Sequence, residues 1–478
     1  MSLIFKIAKQ EWCYWRRSRL VLISLSLTGV LILLSSWLTA SQMEQAHQAR
    51  STYQAEAEET FKAQPDRQPH RMVHYGHYAF RTPSALSVFD PGVDSVTGQS
   101  IFLEGHHQNT AMFADQRGNM AIGGFGALTV AKVYQWLVPL LLIVMGHSLF
   151  AREREQQTLQ TLLAQGVTGT QLVAGKGLAL GSVALLMTAP ALVINLWAIF
   201  QGSTWLASVA LYFNYLLFLV VWVGVILAVT VASKKRSLAL GVLLALWMLF
   251  SLIIPKLGVA VTSAVLPSEG KFQTDLKMAY DIRALGNGHN ASDPAFAKLK
   301  ADTLAKHQVE SIEELPFNYR GLIATISEQQ LTDVMNQYAK ARMEREMQQS
   351  QALEFLSILS PLVAIDYSSR HLAGTDLATH HRFLRESEDL RLDFVQSLNK
   401  AHTHQLSYHH DVNRNKTQAT FDAARVSSSN WQALDTFRFQ PDTFVSRLSR
   451  ASLPLIALAA WSVLLLTSAF YQAKRLTV

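Results

Sequence analysis

Six long apolar runs, none holding an Asp, Glu, Lys or Arg, constrain this chain more than any other feature. They cover residues 20–38, 133–150, 178–200, 206–231, 238–254 and 453–470. A helix rises about 1.5 Å per residue, so about 20 apolar residues cross the roughly 30 Å hydrocarbon core of a bilayer. Lipid offers no hydrogen bonds, so a crossing backbone pairs its own amides and carbonyls, as a helix does. Six spanning helices are therefore expected, rather than the core helices of a large soluble protein. Composition agrees: charged residues make up 16%, against about 25% in soluble domains. The first run reads as an uncleaved anchor. A long basic stretch with Trp12 and Trp15 precedes it, and Leu38-Thr39-Ala40 lacks a small-x-small cleavage pattern.

Charge gives the orientation. The segments 1–19, 151–177, 232–237 and 471–478 hold 13 basic residues against three acidic ones, Glu11, Glu153 and Glu155. Basic residues near span ends stay on the cytoplasmic side, so both termini are expected there, in a bacterial inner membrane. The net charge of +7 is thus a topology signal and gives no support to nucleic-acid binding. A single cysteine, Cys13, excludes an internal disulfide and a CxxC redox pair.

Two polar segments, about 39–132 and 257–450, are then left on the periplasmic side. Residues 43–63 are rich in Ala, Glu and Gln, good helix formers, and are expected to carry the first span outward as a stalk. Turns are expected at Asp90-Pro91-Gly92 and Gly286-Asn287-Gly288, and Pro361 is a breaker. The glycine-rich Gly123-Gly124-Phe125-Gly126 leads into the second span. Ile323, Ile326, Val334, Met335 and Tyr338 recur at near-helical spacing, and Leu377, Leu384, Phe394 and Leu398 more loosely. Short strands fit near 73–80 or 437–439. The fold class expected is an all-α polytopic membrane protein: six transmembrane helices with two extracytoplasmic, mainly helical insert domains.

Fifteen of the sixteen histidines lie in the two outer segments, several adjacent, as in His106-His107, His380-His381 and His409-His410. Imidazole is a common metal ligand. Adjacent histidines on a helix point about 100° apart, however, and the expectation is surface or capping histidines and no metal site. His147 is placed at the cytoplasmic end of its span.

The most specific segment follows the second span: Ala-Arg-Glu-Arg-Glu-Gln-Gln-Thr-Leu-Gln-Thr-Leu-Leu-Ala-Gln over residues 151–165. Its charged first turn and its stripe of Leu159, Leu162 and Leu163 suit an amphipathic helix under the bilayer, docking into a protein cleft. Here the chain resembles the permease subunits of the second class of ABC exporters (ABC-2 type), in the subgroup with large periplasmic inserts. Their coupling helix has a pattern close to E-R-E-x-G-T-L-x-x-L-L. Glu153, Arg154, Glu155, Thr158, Leu159, Leu162 and Leu163 fit it, with Gln157 in place of the glycine. An amphipathic elbow helix over residues 1–19 is matched by an apolar face of Leu3, Ile4, Ile7, Trp12 and Trp15, with Lys6, Lys9 and Gln10 opposite. The insert stretches that look familiar are His74-Tyr75-Gly76-His77, Ser84-Ala85-Leu86 through Asp90-Pro91-Gly92, Leu315-Pro316 through Gly321, and Ala373-Gly374-Thr375-Asp376 with His380-His381.

The chain has no P-loop. The nearest approach, Gly169 through Gly175-Lys176-Gly177, is one residue too long and lacks the Ser or Thr. HExxH and GxSxG are absent too, and the chain is not expected to be an enzyme. The resemblance implies a permease that couples ATP hydrolysis to substrate movement. A separate cytoplasmic ABC ATPase would bind ATP and Mg and dock on the coupling helix. A second permease chain, identical or paralogous, would meet this one in the lipid, with a periplasmic partner or cargo outside. Gly146, Gly181, Gly224 and Gly241 would allow close helix approach, and Asn195 and Asn214 would make helix–helix hydrogen bonds. Two other classes stay open: a membrane scaffold that transmits force to periplasmic partners without moving cargo, and a membrane-anchored periplasmic metalloenzyme.

Overall fold

A computed structural model describes residues 2–109, 128–432 and 437–476. The glycine-rich stretch 123–126 lies outside them. Among the described residues, six helices are long and apolar enough to cross a membrane: Leu20–Lys62, Val130–Glu155, Gly169–Phe200, Trp205–Ala232, Arg236–Val265 and Phe444–Lys474. The first runs unbroken from the apolar run through the Ala/Glu/Gln-rich stretch to Lys62. The last starts nine residues before its apolar run and keeps Pro454 inside it.

Prolines shape the other spans. Pro139 and Pro255 each lack the amide that an α-helix needs and crowd the carbonyl four residues back. Directly before each, the helix widens into a π turn, at Val133–Leu137 and Leu249–Ile253. The third span breaks at Thr188, ahead of Pro190, and restarts at Ala189. Thr188 steadies the break through the Leu185 carbonyl at 2.7 Å and the Tyr212 hydroxyl at 3.0 Å.

The fourth span, Trp205–Ala232, is the axis of the bundle, with Leu211, Tyr215, Phe218 and Trp222 buried. Close approach holds at two of the four expected glycines. A Cβ on Gly146 would lie 2.5 Å from Ile226, and one on Gly224 would lie 2.9 Å from Leu465. Gly181 and Gly241 have nothing within 4 Å. Of the two span asparagines, Asn214 does bond across helices, to Ser368 Oγ at 2.9 Å. Asn195 instead donates to the Ala191 carbonyl of its own helix.

The polar segments 39–109 and 266–443 form one interlocked body, not two separate modules. Phe61, Met72 and Val73 from the first share a core with Phe394, Leu398, Val426 and Trp431 from the second. The long helices Tyr319–Glu354 and Leu377–Gln405 pack side by side. At Gly321 they come so close that a Cβ would sit 2.5 Å from the Thr403 amide nitrogen. The outer body is mainly helical; among the described residues it also holds an antiparallel pair of β1 (His77–Phe80), within the stretch 73–80 where a short strand fits, and β2 (Ser100–Leu103). Residues 437–439 are not a strand.

A short helix, Pro361–Ala373, plugs this body into the bundle. Its Leu362, Ala364, Ile365, Leu372 and Ala373 belong to the same apolar core as the spans. The breaker Pro361 stands in its first turn, where a missing amide costs nothing. Beside the plug, two of the familiar stretches meet. The Val93 amide donates to the Thr375 carbonyl at 3.0 Å, and Thr375 Oγ1 donates to the Asp90 carbonyl at 3.0 Å. Gly92, with φ +49°, fits only because it has no Cβ: one would lie 2.3 Å from the Thr375 oxygen.

Candidate functional site

At one end of the bundle the N-terminal helix, the link after the second span, the turn between spans four and five, and the C-terminal helix end gather together. The N-terminal helix, Leu3–Arg17, lies with Ala8, Glu11 and Trp15 buried and Lys6, Lys9 and Gln10 exposed. Of its expected apolar face, Ile4, Ile7 and Trp12 are half-buried and Leu3 stays exposed. A Cβ on Gly175 of the third span would meet Ile7 at 2.7 Å. Trp12 Nε1 donates to Ser182 Oγ at 2.8 Å, and Trp15 Nε1 to the Met145 carbonyl at 3.0 Å. Two residues of the expected apolar face thus fasten the helix to the third and second spans.

Glu11 sits in the middle of that inward face. Its carboxylate accepts from Arg152 at 2.8 Å and from Lys176 at 2.5 Å, and Lys176 also reaches Glu153 at 2.6 Å. The Lys176 side chain is wholly buried, so the lysine of the imperfect P-loop is held inside a helix by two carboxylates. The link is also shorter than the expected 151–177. It holds the end of the second span, a helix Thr158–Ala164 and a turn, and the third span's helix already begins at Gly169.

The next two charges finish the clasp. Arg154 donates to the Ser233 and Val231 carbonyls, both at 2.5 Å. These are among the last carbonyls of the fourth span, which have no partner within the helix. Glu155 accepts from the Arg236 amide at 2.8 Å and pairs with its guanidinium at 2.5 Å. An anion at a helix start and a cation at a helix end both complement the backbone dipoles. Glu153, Arg154 and Glu155 therefore tie the link to spans three, four and five in turn.

The expected leucine stripe also faces inward. Leu159 is 7% exposed, and Leu162 and Leu163 pack half-buried against the core of the spans. The outward surface includes the polar, uncharged Gln156, Gln157, Thr158, Gln160, Thr161 and Gln165 beside the exposed Glu155. Among the expected contact residues, Glu155 and Thr158 belong to it.

Gln157 explains the glycine of the resembling pattern. Its φ is +58°, in the left-handed region, between the helices ending at Glu155 and starting at Thr158. A side chain there costs roughly 1–2 kcal/mol, part of which glycine returns through the freedom of the unfolded chain. Gln157→Gly is expected to stabilise the purified chain by up to about 1 kcal/mol, read as a higher denaturation midpoint. A lower midpoint would show that the glutamine side chain itself holds the turn.

At the opposite end a cavity of about 660 Å³ opens beside both π turns. Gln135, Trp136, Ser251, Lys256, Asp366 and Arg370 are among its lining residues. Behind it runs a buried polar chain: Gln135 to the Tyr215 hydroxyl at 3.2 Å, Tyr215 to Ser369 at 2.9 Å, and Ser369 to Asp90 at 2.5 Å. Burial pushes the Asp90 carboxyl above its ordinary range, with Arg370 opposing. Nearby, burial would raise Asp376 as well, but His371 and Arg450 hold it well below the usual carboxylate range. The sequence reading did not find this cavity; Pro139 and Pro255, which follow the two π turns, are the signal that could have marked it.

With this geometry in hand, comparison with known proteins is informative. Residues 103–252 match the model of the ABC-2 family transporter protein. That stretch takes in spans two to four, most of the fifth, and all the clasp residues but Glu11. Residues 273–440 match a domain of unknown function, DUF3526. No curated protein matches the chain. The ABC-2 match supports a multi-pass permease, the membrane component of an ABC exporter rather than its ATPase, and implies an ABC ATPase subunit as its partner.

Proposed function

We propose that the chain is the permease subunit of an ABC exporter in the bacterial inner membrane, driven by a separate ATPase that binds the link helix Thr158–Ala164. The observation that carries this reading is the clasp. A push on the exposed face of that helix passes across the short Gln156-Gln157 turn to Glu153, Arg154 and Glu155, and through them to three spans. Docking then rests on the uncharged Gln160, Thr161 and Gln165, while the charges of the motif transmit. In this reading the basic end is cytoplasmic and the interlocked body is periplasmic. The open apolar flanks of the first and fifth spans face lipid or a second permease chain. Substrate passes by the cavity at the π turns, a type of helix defect frequent at functional sites.

The plug helix gives the scaffold reading its own observation, because it joins the outer body rigidly to the fourth and sixth spans. A photo-crosslinking residue at position 160, in chain purified from its native membrane, tests the docking claim. Expected is a crosslink to an ATP-hydrolysing polypeptide, absent when the residue stands at 340. Crosslinking at 340 and not at 160 would contradict it. Vesicles holding the complex then separate exporter from scaffold: ATP-dependent solute movement supports the first, and altered outer-body contacts with no movement support the second.

A further inference from the structure

The interlocked outer body brings together four histidines from three distant places. His70 and His74 stand one turn apart on the helix Pro69–Tyr75, on the same face. His106 follows β2, and His289 directly follows Gly286-Asn287-Gly288 in the second polar segment. One ring nitrogen from each lies within 4.8 Å of all the others. His70 and His74 bring their Nε2 atoms to 3.1 Å. Two nitrogens on one tetrahedral zinc, with bonds of about 2.0–2.1 Å, stand about 3.3 Å apart, so this pair is already at chelating distance. To join them, the other two ring nitrogens, within 4.8 Å, must move by up to about 1.5 Å.

We infer that His70, His74, His106 and His289 form a binding site for a divalent transition-metal ion, with Zn²⁺ as the best fit. The surroundings are built for it. His106 takes a left-handed φ of +64°, which few non-glycine residues adopt. Its Nδ1 meets the Glu328 carboxylate at 2.6 Å, leaving a buried Nε2 with no hydrogen-bond partner. A carboxylate behind a ligating imidazole fixes its tautomer and raises its basicity. Glu328 is in turn held by the buried Arg391 at 2.6 Å. The cluster edges a cavity of about 120 Å³ shared with Arg320, Arg414 and His402, cations and an imidazole that Asp411 faces at 3.7, 2.8 and 2.9 Å.

Four protein ligands leave no open coordination position, which marks a structural ion and not a catalytic one. The ion would rivet the first polar segment to the second, at the face of the body formed by the Pro69–Tyr75 helix. The sequence pointed elsewhere, to adjacent pairs such as His106-His107, of which only His106 takes part.

The test uses the full chain in detergent, stripped with a chelator, re-exposed to Zn²⁺ and passed over a desalting column before metal analysis. One Zn²⁺ per chain is expected. His70→Ala and His289→Ala should each weaken binding by more than about 100-fold, and Glu328→Gln by about 10–100-fold. His289→Cys supplies another zinc ligand and should retain the ion. With Co²⁺ in place of zinc, the absorption of a tetrahedral site is expected. A wild-type chain without stoichiometric metal would overturn the inference. So would retention of the ion by both alanine variants.

Discussion

Lys176→Met is expected to destabilise the chain by about 3–5 kcal/mol, the usual effect of removing one partner from a buried ion pair. The lysine is buried between Glu11 and Glu153. Without it Glu11 keeps only Arg152, and Glu153, whose Oε2 already has no partner, keeps none of its ion pairs. The affected contacts join the N-terminal helix, the link and the third span, so the loss should show in folding and in coupling together. Thermal unfolding of the purified variant checks the first, and stimulation of the partner ATPase checks the second. Adding Glu11→Gln removes one stranded charge, and the double variant should be more stable than the sum of the single changes predicts. A Lys176→Met midpoint within experimental error of wild type would mean that the network does not hold this end together.

Arg391→Met is expected to cost a similar 3–5 kcal/mol or so, in the outer body instead. The guanidinium is 2% exposed and pairs with Glu328 at 2.6 Å and Glu388 at 2.7 Å. It also donates to Thr332 Oγ1 at 2.8 Å and to the Glu104 carbonyl at 3.3 Å. It thereby joins both long helices to the segment after β2. Burial acts to raise Glu328, yet His106 and Arg391 bring its pKa down to about 2. Methionine would leave two buried carboxylates facing each other. Limited proteolysis should cut the outer body of Arg391→Met rapidly while the spans remain inserted. Arg391→Lys keeps the charge but loses the planar fork, and should fall between the two. Equal protease resistance in all three forms would contradict this account.

The spans were legible in the sequence because lipid imposes a simple length and hydropathy rule on them. The stalk was legible too, through helix formers that continue the first run to Lys62. Residues that depend on a distant partner were not legible. Glu11 looks like a stray acid on a basic helix until Arg152 and Lys176 are seen around it. Pro361–Ala373 is too short for a span and too apolar for a surface helix, and only the neighbouring spans explain it. The motif residues Glu153, Arg154 and Glu155 stood out in the sequence as a unit. Their spacing could not tell whether they face a partner or the ends of the chain's own helices, since both offer backbone dipoles and charges. Gln157 hid a positive φ because side-chain identity only biases that region. The histidine cluster escaped because its members lie as much as 219 positions apart in sequence.

Two-sided cysteine labelling tests the central claim most directly, that the link helix and the interlocked outer body lie across a membrane from each other. In a Cys13→Ser background, single cysteines at Gln160 and Lys340, both exposed, are treated with a membrane-impermeant thiol reagent in sealed vesicles of known orientation. Position 160 should react only when the cytoplasmic face is outward, and position 340 only when it is inward. Reaction of both positions from the same side would contradict the six-span arrangement and the ATP-driven permease built on it.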